Sequence, residues 1–254
     1  MVDHLSVSQI GMFLRCPVQY EFRYLKGIKI PPAGAMIQGT AYHETLASDL
    51  IKRTRDDIVL SDDDVADIYS TSFDHQVHDR KSIEDEDTLE FEEIDWRDEE
   101  PGKVKDEGIT LAKLYHNTML DKLNPESIED RRETGIAGIP FVFIADVVEK
   151  ERVIDHKVKK RRFGEDELKR DLQATAYSMI YNRPLEFHQA LKLKQPTIDI
   201  AYTLRTEGDY QFFTNLVSKV KQAIDSGIFY PNPTGWACSE QWCGYYNICK
   251  NKGV

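Results

Sequence analysis

The sequence predicts an α/β protein in which helical segments precede a core that contains a β-sheet. Apolar residues recur at helical spacing through the first half of the chain, and β-rich runs begin near Gly135. From there, a strand, a second strand, a helix, a third strand and a last helix follow in order. The 254 residues, of which 41% are hydrophobic and 30% charged, are typical of a globular protein that buries a sizeable core.

The first predicted helix begins at a capping box formed by Ser6 and Gln9. Pro17 suits the first turn of a second helix, VQYEFRYL, because the backbone N–H that proline lacks would be unpaired there anyway. Cys16 is therefore expected at a junction between two helices. The apolar positions that recur in the first helix are Ile10, Phe13 and Leu14.

A third helix is predicted from Thr40 to Arg53, after the turn sequence PPAG. His43 shares one face of this helix with three apolar residues, so we expect its ring to point toward the interior. A single histidine in this position is more often a satisfied core residue than a metal ligand. The apolar residues on that face are Leu46, Ala47 and Leu50.

The middle of the chain is strongly acidic. Residues 55 to 107 hold 21 Asp and Glu against 6 Lys and Arg, so the formal charge of this segment is −15. The rest of the chain carries +4, which gives the net charge of −11. Two apolar stripes predict helices over 62–80 and 108–123, with a loop or disordered portion near 82–104. We assign this helical insertion to 55–130, after N-terminal helices at 1–54. The stripes consist of Val65, Ile68, Tyr69, Phe73 and Val77, and of Leu111, Leu114, Tyr115 and Thr118.

The runs GIPFVFIADVVEK and RVIDHKVKK predict a β-hairpin that opens the core at 131–230. Side chains two apart on a strand share a face, so Asp155 and Lys157 project together and His156 points away. Asp146 lies in an apolar run, where an unpaired carboxylate would be costly, and it can join them from the neighbouring strand. Alone, an Asp-x-Lys pair is usually solvated.

Two carboxylates and an ammonium at one place are suited to metal-dependent phosphodiester cleavage. Hard oxygen ligands bind Mg²⁺ or Mn²⁺, and the ion lowers the pKa of a bound water and neutralises charge on the phosphate. The lysine would orient the water or stabilise the transition state. From Lys150 to Arg162 the chain also has seven basic side chains against two acidic ones. Four of them, predicted to follow a DNA backbone, are Lys159, Lys160, Arg161 and Arg162.

The rest of the core is predicted as a helix from Glu165 to Tyr181, a strand TIDIAYTLR, and a helix from Tyr210 to Ser226 that Gly227 ends. Gln173 and Tyr177 are four apart on the first of these helices and so face the same way. Alone, they would be a surface glutamine and a core tyrosine.

The four cysteines form the most distinctive pattern: Cys16 ahead of a proline, and Cys238-x4-Cys243-x5-Cys249 near the other end. The first residues lack a signal-peptide pattern, and the most apolar run is too short to span a bilayer. We therefore expect a cytoplasmic protein without a membrane partner, whose cysteines are ligands rather than disulfides. Four thiolates suit a 4Fe-4S cluster, which we favour, and zinc stays open.

The motifs GTAYHETL, Asp146, Asp155-His156-Lys157 and QATAY resemble, in this order, those of RecB-type nucleases in the PD-(D/E)XK superfamily. The resemblance implies a restriction-endonuclease-like core with a mixed central sheet flanked by helices. It also implies roles for these residues. The metal ligands would be His43, Asp146, Asp155 and the backbone carbonyl of His156; Lys157 would be catalytic, with Gln173 and Tyr177 bordering the site.

The cysteines extend this resemblance to AddB and the CRISPR-associated Cas-four nucleases, in which one cysteine before the histidine motif and three near the C-terminus hold a 4Fe-4S cluster. Those relatives commonly show Cys-x2-Cys-x5-Cys, and this chain departs from that spacing. The implied cluster segment, 231–254, would pack against the N-terminus and join the chain ends. The nearby aromatic residues, which could pack around the cluster or stack on single-stranded bases, are Trp236, Trp242, Tyr245 and Tyr246.

The sequence therefore predicts a Mg²⁺- or Mn²⁺-dependent deoxyribonuclease, an exonuclease on single-stranded DNA or DNA ends, with a structural cluster. A second enzyme hypothesis is end processing within a repair, recombination, replication or CRISPR-adaptation complex. A third is a non-catalytic DNA-binding or scaffold protein of such a complex. The acidic insertion could repel DNA from the wrong face or engage a basic protein partner. The sequence leaves the oligomeric state undetermined.

Overall fold

A computed structural model describes residues 3–78 and 94–251. One mixed sheet holds five strands in chain order. Neighbouring strands are antiparallel except for the third and fourth, which run parallel. The strands are β1 (Ser127–Ile136), β2 (Ile139–Val148), β3 (Val153–Lys159), β4 (Leu185–Leu191) and β5 (Thr197–Tyr202).

Helices cover both faces of this sheet. Ser6 accepts a hydrogen bond from the backbone N–H of Gln9 at 3.3 Å, and the first helix begins at the next residue after this cap. The helices are α1 (Val7–Arg15), α2 (Pro17–Tyr20), α3 (Gly34–Arg55), α4 (Asp62–His78), α5 (Pro101–Thr118), α6 (Glu165–Lys169), α7 (Leu172–Tyr181), α8 (Glu207–Asp225) and α9 (Tyr246–Asn251). A π-helical turn (Glu21–Leu25) continues α2, and a 3₁₀ turn (Leu120–Lys122) follows α5.

Several helix boundaries differ from the predicted ones. α3 begins at Gly34, within the predicted PPAG turn, and α5 begins at Pro101, earlier than the predicted 108. The helix predicted from 165 to 181 is interrupted before Asp171, whose carboxylate caps α7 by accepting from the N–H of Ala174. Leu14, placed on the apolar face of α1, is 46% exposed. Of the predicted loop at 82–104, residues 82–93 lie outside the described residues.

Two strands, β1 and β4, escaped the sequence analysis. The sequence of β1, SIEDRRETGI, is highly charged because it is an edge strand with mostly accessible side chains. It begins at Ser127, inside the segment assigned to the helical insertion. The hairpin that joins β1 to β2 turns at Ala137 and Gly138, both at positive φ. In β4, the polar residues His188 and Gln189 are fully buried, which hides the apolar pattern expected of a central strand.

Each face of the sheet has its own hydrophobic core. One core joins α1, α7 and α8 to the sheet through residues such as Phe141 and Phe187. The other joins α3, α4 and α5 to the sheet through Val147, Ile154 and Ala190. Of the two acidic helices, α5 contacts the sheet at β4 and β5, whereas α4 packs on α3 and α5.

A third, smaller cluster joins the chain ends. Val18 and Phe22 pack against Tyr245, whose hydroxyl donates to the carbonyl of Ile28 at 3.0 Å. This contact spans more than two hundred residues of sequence. None of the helices in the described parts of the chain combines the length and apolar character needed to cross a membrane.

Candidate active site

The carboxylate of Asp146 lies where β2 and β3 separate. The two strands pair only at Val147 with Ile154 and at Val148 with Val153. Next to this point, the backbone N–H of His156 donates to Oδ2 of Asp146 at 2.6 Å. The side chain thus replaces a strand-to-strand hydrogen bond, which explains how an aspartate is stable in an otherwise apolar strand.

His43 reaches the same carboxylate from α3. Its Nδ1 lies 3.1 Å from Oδ2 of Asp146, and its side chain is 30% exposed. Burial lowers the pKa of His43, but the charge and hydrogen bond of Asp146 and the charge of Asp155 together outweigh burial, so the net shift is upward. Burial would raise the pKa of Asp146, yet the charge of His43 and the hydrogen bonds from both histidines hold it well below its usual range. The pair therefore favours an ionised carboxylate.

Asp155, Lys157 and Gln173 form a closed triangle beside this pair. The Lys157 ammonium lies 2.6 Å from Oδ2 of Asp155 and donates to Oε1 of Gln173 at 3.1 Å. The amide of Gln173 in turn donates to Oδ1 of Asp155. The ammonium contact at Oδ2 engages one lone pair of this buried oxygen, which leaves another for a cation.

The charges of the triangle and of Asp146 interact. Burial raises the pKa of Asp155 and the neighbouring Asp146 adds to this effect, while Lys157 opposes it. Burial lowers the pKa of Lys157, but Asp155, with the charges of Asp146 and Asp171, raises it by more in total, which keeps the ammonium charged. Tyr177, on the same face of α7 as Gln173, fixes the edge of β2 by donating to the carbonyl of Ile144 at 2.6 Å.

The side chain of His156 points away from Asp155 and Lys157, into a buried polar network. Its Nδ1 lies 3.4 Å from Oδ2 of Asp146, and its Nε2 lies 2.9 Å from the hydroxyl of Tyr115. That hydroxyl is 2.7 Å from Nδ1 of His188, whose Nε2 is 3.4 Å from a Glu186 oxygen. Burial lowers the pKa of His156, which favours the neutral imidazole. The network therefore fixes the ring next to Asp146.

Three ligand atoms of this region are already grouped. Atoms of His43, Asp146 and His156 lie within 4.8 Å of one another. The carboxylate of Asp155 is outside this group and inside the triangle with Lys157. Two nitrogens and a carboxylate oxygen suit a divalent cation that accepts mixed ligands.

Two clefts meet at the site and share Ser8 and Ile144 in their walls. The first has a volume of about 1160 Å³ and contains Lys157, with Gln173 and Tyr177. The second, of about 1080 Å³, contains His43. The first cleft also has His4, Arg161, Arg170, Glu167, Asp171 and Trp236 in its walls.

The basic run after β3 is dispersed by its ion pairs. Arg161 lines the first cleft and pairs with Glu167 at 2.9 Å. Lys159 lies over the ring of Phe163 and shares Glu167 with Arg161, at 3.3 Å. The other two are held elsewhere: Lys160 at 2.8 Å from Glu99, and Arg162 at 2.9 Å from Asp199. Of the four side chains predicted to follow a DNA backbone, only Arg161 lines the first cleft.

Several residues near the site were missed from the sequence. Glu129 has φ of 50° at the position of β1 opposite Asp146, and it lines the second cleft. Burial and then the charge of Asp146 raise its pKa. Arg170 and the Tyr115–His188 network were missed as well. A glutamate in a charged strand and a tyrosine on an amphipathic helix are common, and nothing in the neighbouring sequence indicates that they lie near the active site.

All four cysteines lie around one cavity of about 280 Å³. None of these four is in a disulfide. The amide of Gln19 donates to Sγ of Cys243 at 3.0 Å. Burial and then Cys16, Cys243 and Cys238 raise the pKa of the Cys249 thiol, so the thiols are close enough to interact. Nitrogen–sulfur hydrogen bonds of this kind commonly support ligated thiolates.

The superfamily model for PD-(D/E)XK nucleases matches residues 4–250 of the chain. The chain belongs to the PD-(D/E)XK nuclease superfamily. Nucleases of this superfamily generally use divalent metal ions, and the mixed sheet with flanking helices agrees with its fold. The match includes both the acidic helices and the cysteine-rich end.

Solved structures agree with this assignment at the level of the fold. A candidate exonuclease from Eubacterium rectale aligns over 99% of this chain and 89% of its own, with a TM-score of 0.59 and 14% identity. The protein SSO0001 aligns over 98% of this chain and 87% of its own, with 14% identity and a TM-score of 0.42, which is too low to support an argument. No curated protein matches the chain.

Proposed function

We propose that this PD-(D/E)XK protein is a Mg²⁺- or Mn²⁺-dependent deoxyribonuclease of the RecB and Cas-four type that removes nucleotides from single-stranded DNA or DNA ends. The observation that carries the proposal is the meeting of two groups at the divergence of β2 and β3. One is the His43–Asp146 pair and the other is the Asp155–Lys157–Gln173 triangle. The triangle opens into the first cleft through Lys157 and Gln173, and the pair opens into the adjoining second cleft through His43.

The ligands that we propose for the metal are His43, Asp146, Asp155 and the backbone carbonyl of His156. The low pKa of Asp146 favours an ionised carboxylate there, and Oδ2 of Asp155, which contacts Lys157 at 2.6 Å, retains a lone pair for a second oxygen donor. The imidazole of His43 makes the site tolerant of Mn²⁺ as well as Mg²⁺. When bound, such a cation activates water for attack and neutralises charge that develops on the phosphate.

Lys157 is the proposed catalytic residue. Its ammonium is held by Asp155 and Gln173 at the floor of the cleft and remains one-third exposed, so it can approach a phosphate oxygen. A fixed positive charge in a partly desolvated place stabilises a transition state in which negative charge grows. Gln173 and Tyr177 keep this ammonium and the edge of β2 in position.

The charges of the two clefts favour an end over the middle of a strand. The first cleft has Lys157, Arg161 and Arg170 against Glu167 and Asp171 in its walls, a small excess of positive charge. The second cleft has the acidic residues Glu44, Asp56 and Glu129 against His43 and Lys52. A phosphate backbone is attracted to the first and repelled from the second, so a strand that ends near the site is accommodated better than a continuous one.

We also propose that the four cysteines hold a 4Fe-4S cluster. A Cys₄ zinc site with bonds of about 2.3 Å needs sulfurs about 3.8 Å apart. Among the described residues, the four thiols form no group of ligand atoms within 4.8 Å of one another, and they surround a cavity of about 280 Å³. The wider spacing of the thiols and the volume between them favour a 4Fe-4S cluster over a zinc ion.

The first experiment measures cleavage of end-labelled single-stranded DNA with Mn²⁺ or Mg²⁺, and with EDTA as the metal-free control. We expect nucleotide release only with the metal, and a loss of about 10³-fold or more in Asp155→Asn, because that change removes a ligand charge and the partner of Lys157. Wild-type protein that binds DNA without cleaving it would support a scaffold instead. Cleavage in the interior of closed circular single strands would contradict the exonuclease part of the proposal.

A second prediction concerns Tyr115, which holds the His156 ring through its hydroxyl. The ring lies against the proposed ligand Asp146. Tyr115→Phe should therefore weaken the affinity for the activating Mn²⁺ by about 10-fold, the lower end of what groups that orient ligands contribute. Tyr42→Phe is the matched control, because the Tyr42 hydroxyl is buried near the same ring without a hydrogen-bond partner. Metal titrations of the cleavage rate compare the two. Equal Mn²⁺ requirements in both variants would remove the positioning role of Tyr115.

A further inference from the structure

Trp236 is an exposed aromatic residue at the boundary between the cysteine-rich segment and the first cleft. Its side chain is 74% exposed, and it lines the same cleft as Lys157 and Tyr177. By contrast, Tyr245 from the same segment is buried in the contact between the chain ends. Of the two roles that the sequence allows these aromatic residues, the packing role fits Tyr245 and does not fit Trp236.

The backbone around Trp236 is fixed although its ring is exposed. The N–H of Gly235 donates to the carbonyl of Asn232 at 3.1 Å, and the N–H of Cys238 donates to the carbonyl of Gly235 at 2.9 Å. The amide of Asn232 donates to the carbonyl of Arg15 at 3.1 Å, which ties the turn to α1. Binding to the ring therefore requires little ordering of the chain.

A neighbouring ring also supports Trp236. Trp242 meets it in an edge-to-face arrangement, with the ring centroids 6.1 Å apart and the planes at 68°. Trp242 is itself covered by the guanidinium of Arg97 at 4.4 Å. One side of the Trp236 ring is thus occupied by protein, and much of the ring surface stays open to the solvent.

The surroundings of the ring suit an unpaired nucleotide. Lys157, Arg161 and Arg170 outnumber Glu167 and Asp171 in the walls of this cleft, which leaves a small excess of positive charge for phosphates. A cationic groove with an exposed aromatic ring is the combination by which proteins bind single strands, because every base can stack on such a ring. Bases within a duplex are already stacked on each other, so the ring offers them much less.

We propose that Trp236 is a base-stacking platform for an unpaired base of the DNA strand held in the first cleft. The proposal rests on the nuclease function proposed above and adds a binding subsite to it. The cysteine-rich segment thereby contributes a contact to the substrate besides joining the chain ends. The ligand is a nucleobase of single-stranded DNA, without a requirement for its sequence.

The test measures binding of a labelled oligothymidylate by fluorescence anisotropy, without added divalent cation so that the strand stays intact. Trp236→Ala should bind about 10-fold more weakly, and Trp236→Phe should recover most of the loss because it retains a ring. Tyr230→Ala is the matched control, since Tyr230 is 60% exposed in the same region and does not line the cleft. Its affinity should equal that of the wild type. Thermal unfolding of each variant checks the fold.

Oligonucleotides with one abasic site separate stacking from a structural effect. At one position along the strand, removing the base should weaken binding to the wild type by about 10-fold, as the Trp236→Ala change does. The same abasic strand should bind to Trp236→Ala as well as the intact strand does. An abasic penalty of the same size in both proteins would overturn the proposal, as would wild-type affinity in Trp236→Ala or an equal loss on a blunt duplex. DNA cleavage by the wild type is measured in parallel. An absence of cleavage would reject the proposed nuclease function but not the base-stacking site at Trp236.

Discussion

Replacing Lys157 by alanine is expected to lower the single-turnover rate of DNA cleavage by about 10³-fold while leaving DNA binding nearly unchanged. The lysine ammonium is the one cation of the Asp155–Lys157–Gln173 triangle and is held at the floor of the cleft by contacts of 2.6 and 3.1 Å. Its loss removes a charge that acts in the transition state, whereas the cleft retains Arg161 and Arg170 for the strand. The rate should therefore fall much more than the affinity.

The alanine variant also leaves the buried Asp155 without its partner, which could affect folding. Lys157→Gln is therefore a second variant, because it places a polar side chain without charge beside Asp155. Both variants should unfold near the wild-type temperature or modestly below it and lack activity. Lys219→Ala, an exposed lysine on α8, is the control and should cleave at the wild-type rate. Cleavage by folded Lys157→Gln at the wild-type rate would exclude Lys157 from catalysis.

The arrangement of β2 and β3 could be predicted in part from the sequence. The alternation of strand residues places Asp155 and Lys157 on one face and His156 on the other, and the structure has them so. A carboxylate within FVFIADVV also had to have a polar partner. That the partner is the N–H of His156 could not be predicted, because it depends on where the pairing of the two strands ends.

Long-range contacts limited the rest of the prediction. Tyr115 looks like a core residue of an amphipathic helix, and only the packing of α5 against the sheet places its hydroxyl between two histidines. In β4, buried His188 and Gln189 obscure the apolar pattern because tertiary hydrogen bonds satisfy them. Lys160 illustrates the same limit, since a distant glutamate pairs with it away from the cleft.

Replacing Cys16 by alanine is the second change with a large expected effect. Cys16 supplies the one thiol from the N-terminal part of the chain to a cavity whose other three thiols come from Cys238, Cys243 and Cys249. If the four hold one cluster, it links parts of the chain more than two hundred residues apart. A link that closes so long a loop contributes about 3–5 kcal/mol. The melting temperature should therefore fall by on the order of 10 °C.

Wild-type protein purified without oxygen should be brown and contain about four iron atoms per chain, as a 4Fe-4S cluster requires. Cys16→Ala should lose the colour and most of the iron, and proteolysis should release its cysteine-rich end faster. Ser239→Ala is the matched control, because its hydroxyl lies buried between two of the cysteines in sequence and has no hydrogen-bond partner. It should keep the colour and the melting temperature. Colourless wild-type protein with one zinc per chain would show that the cysteines hold zinc instead of a cluster. A Cys16→Ala variant as stable as the wild type would reject the link between the chain ends.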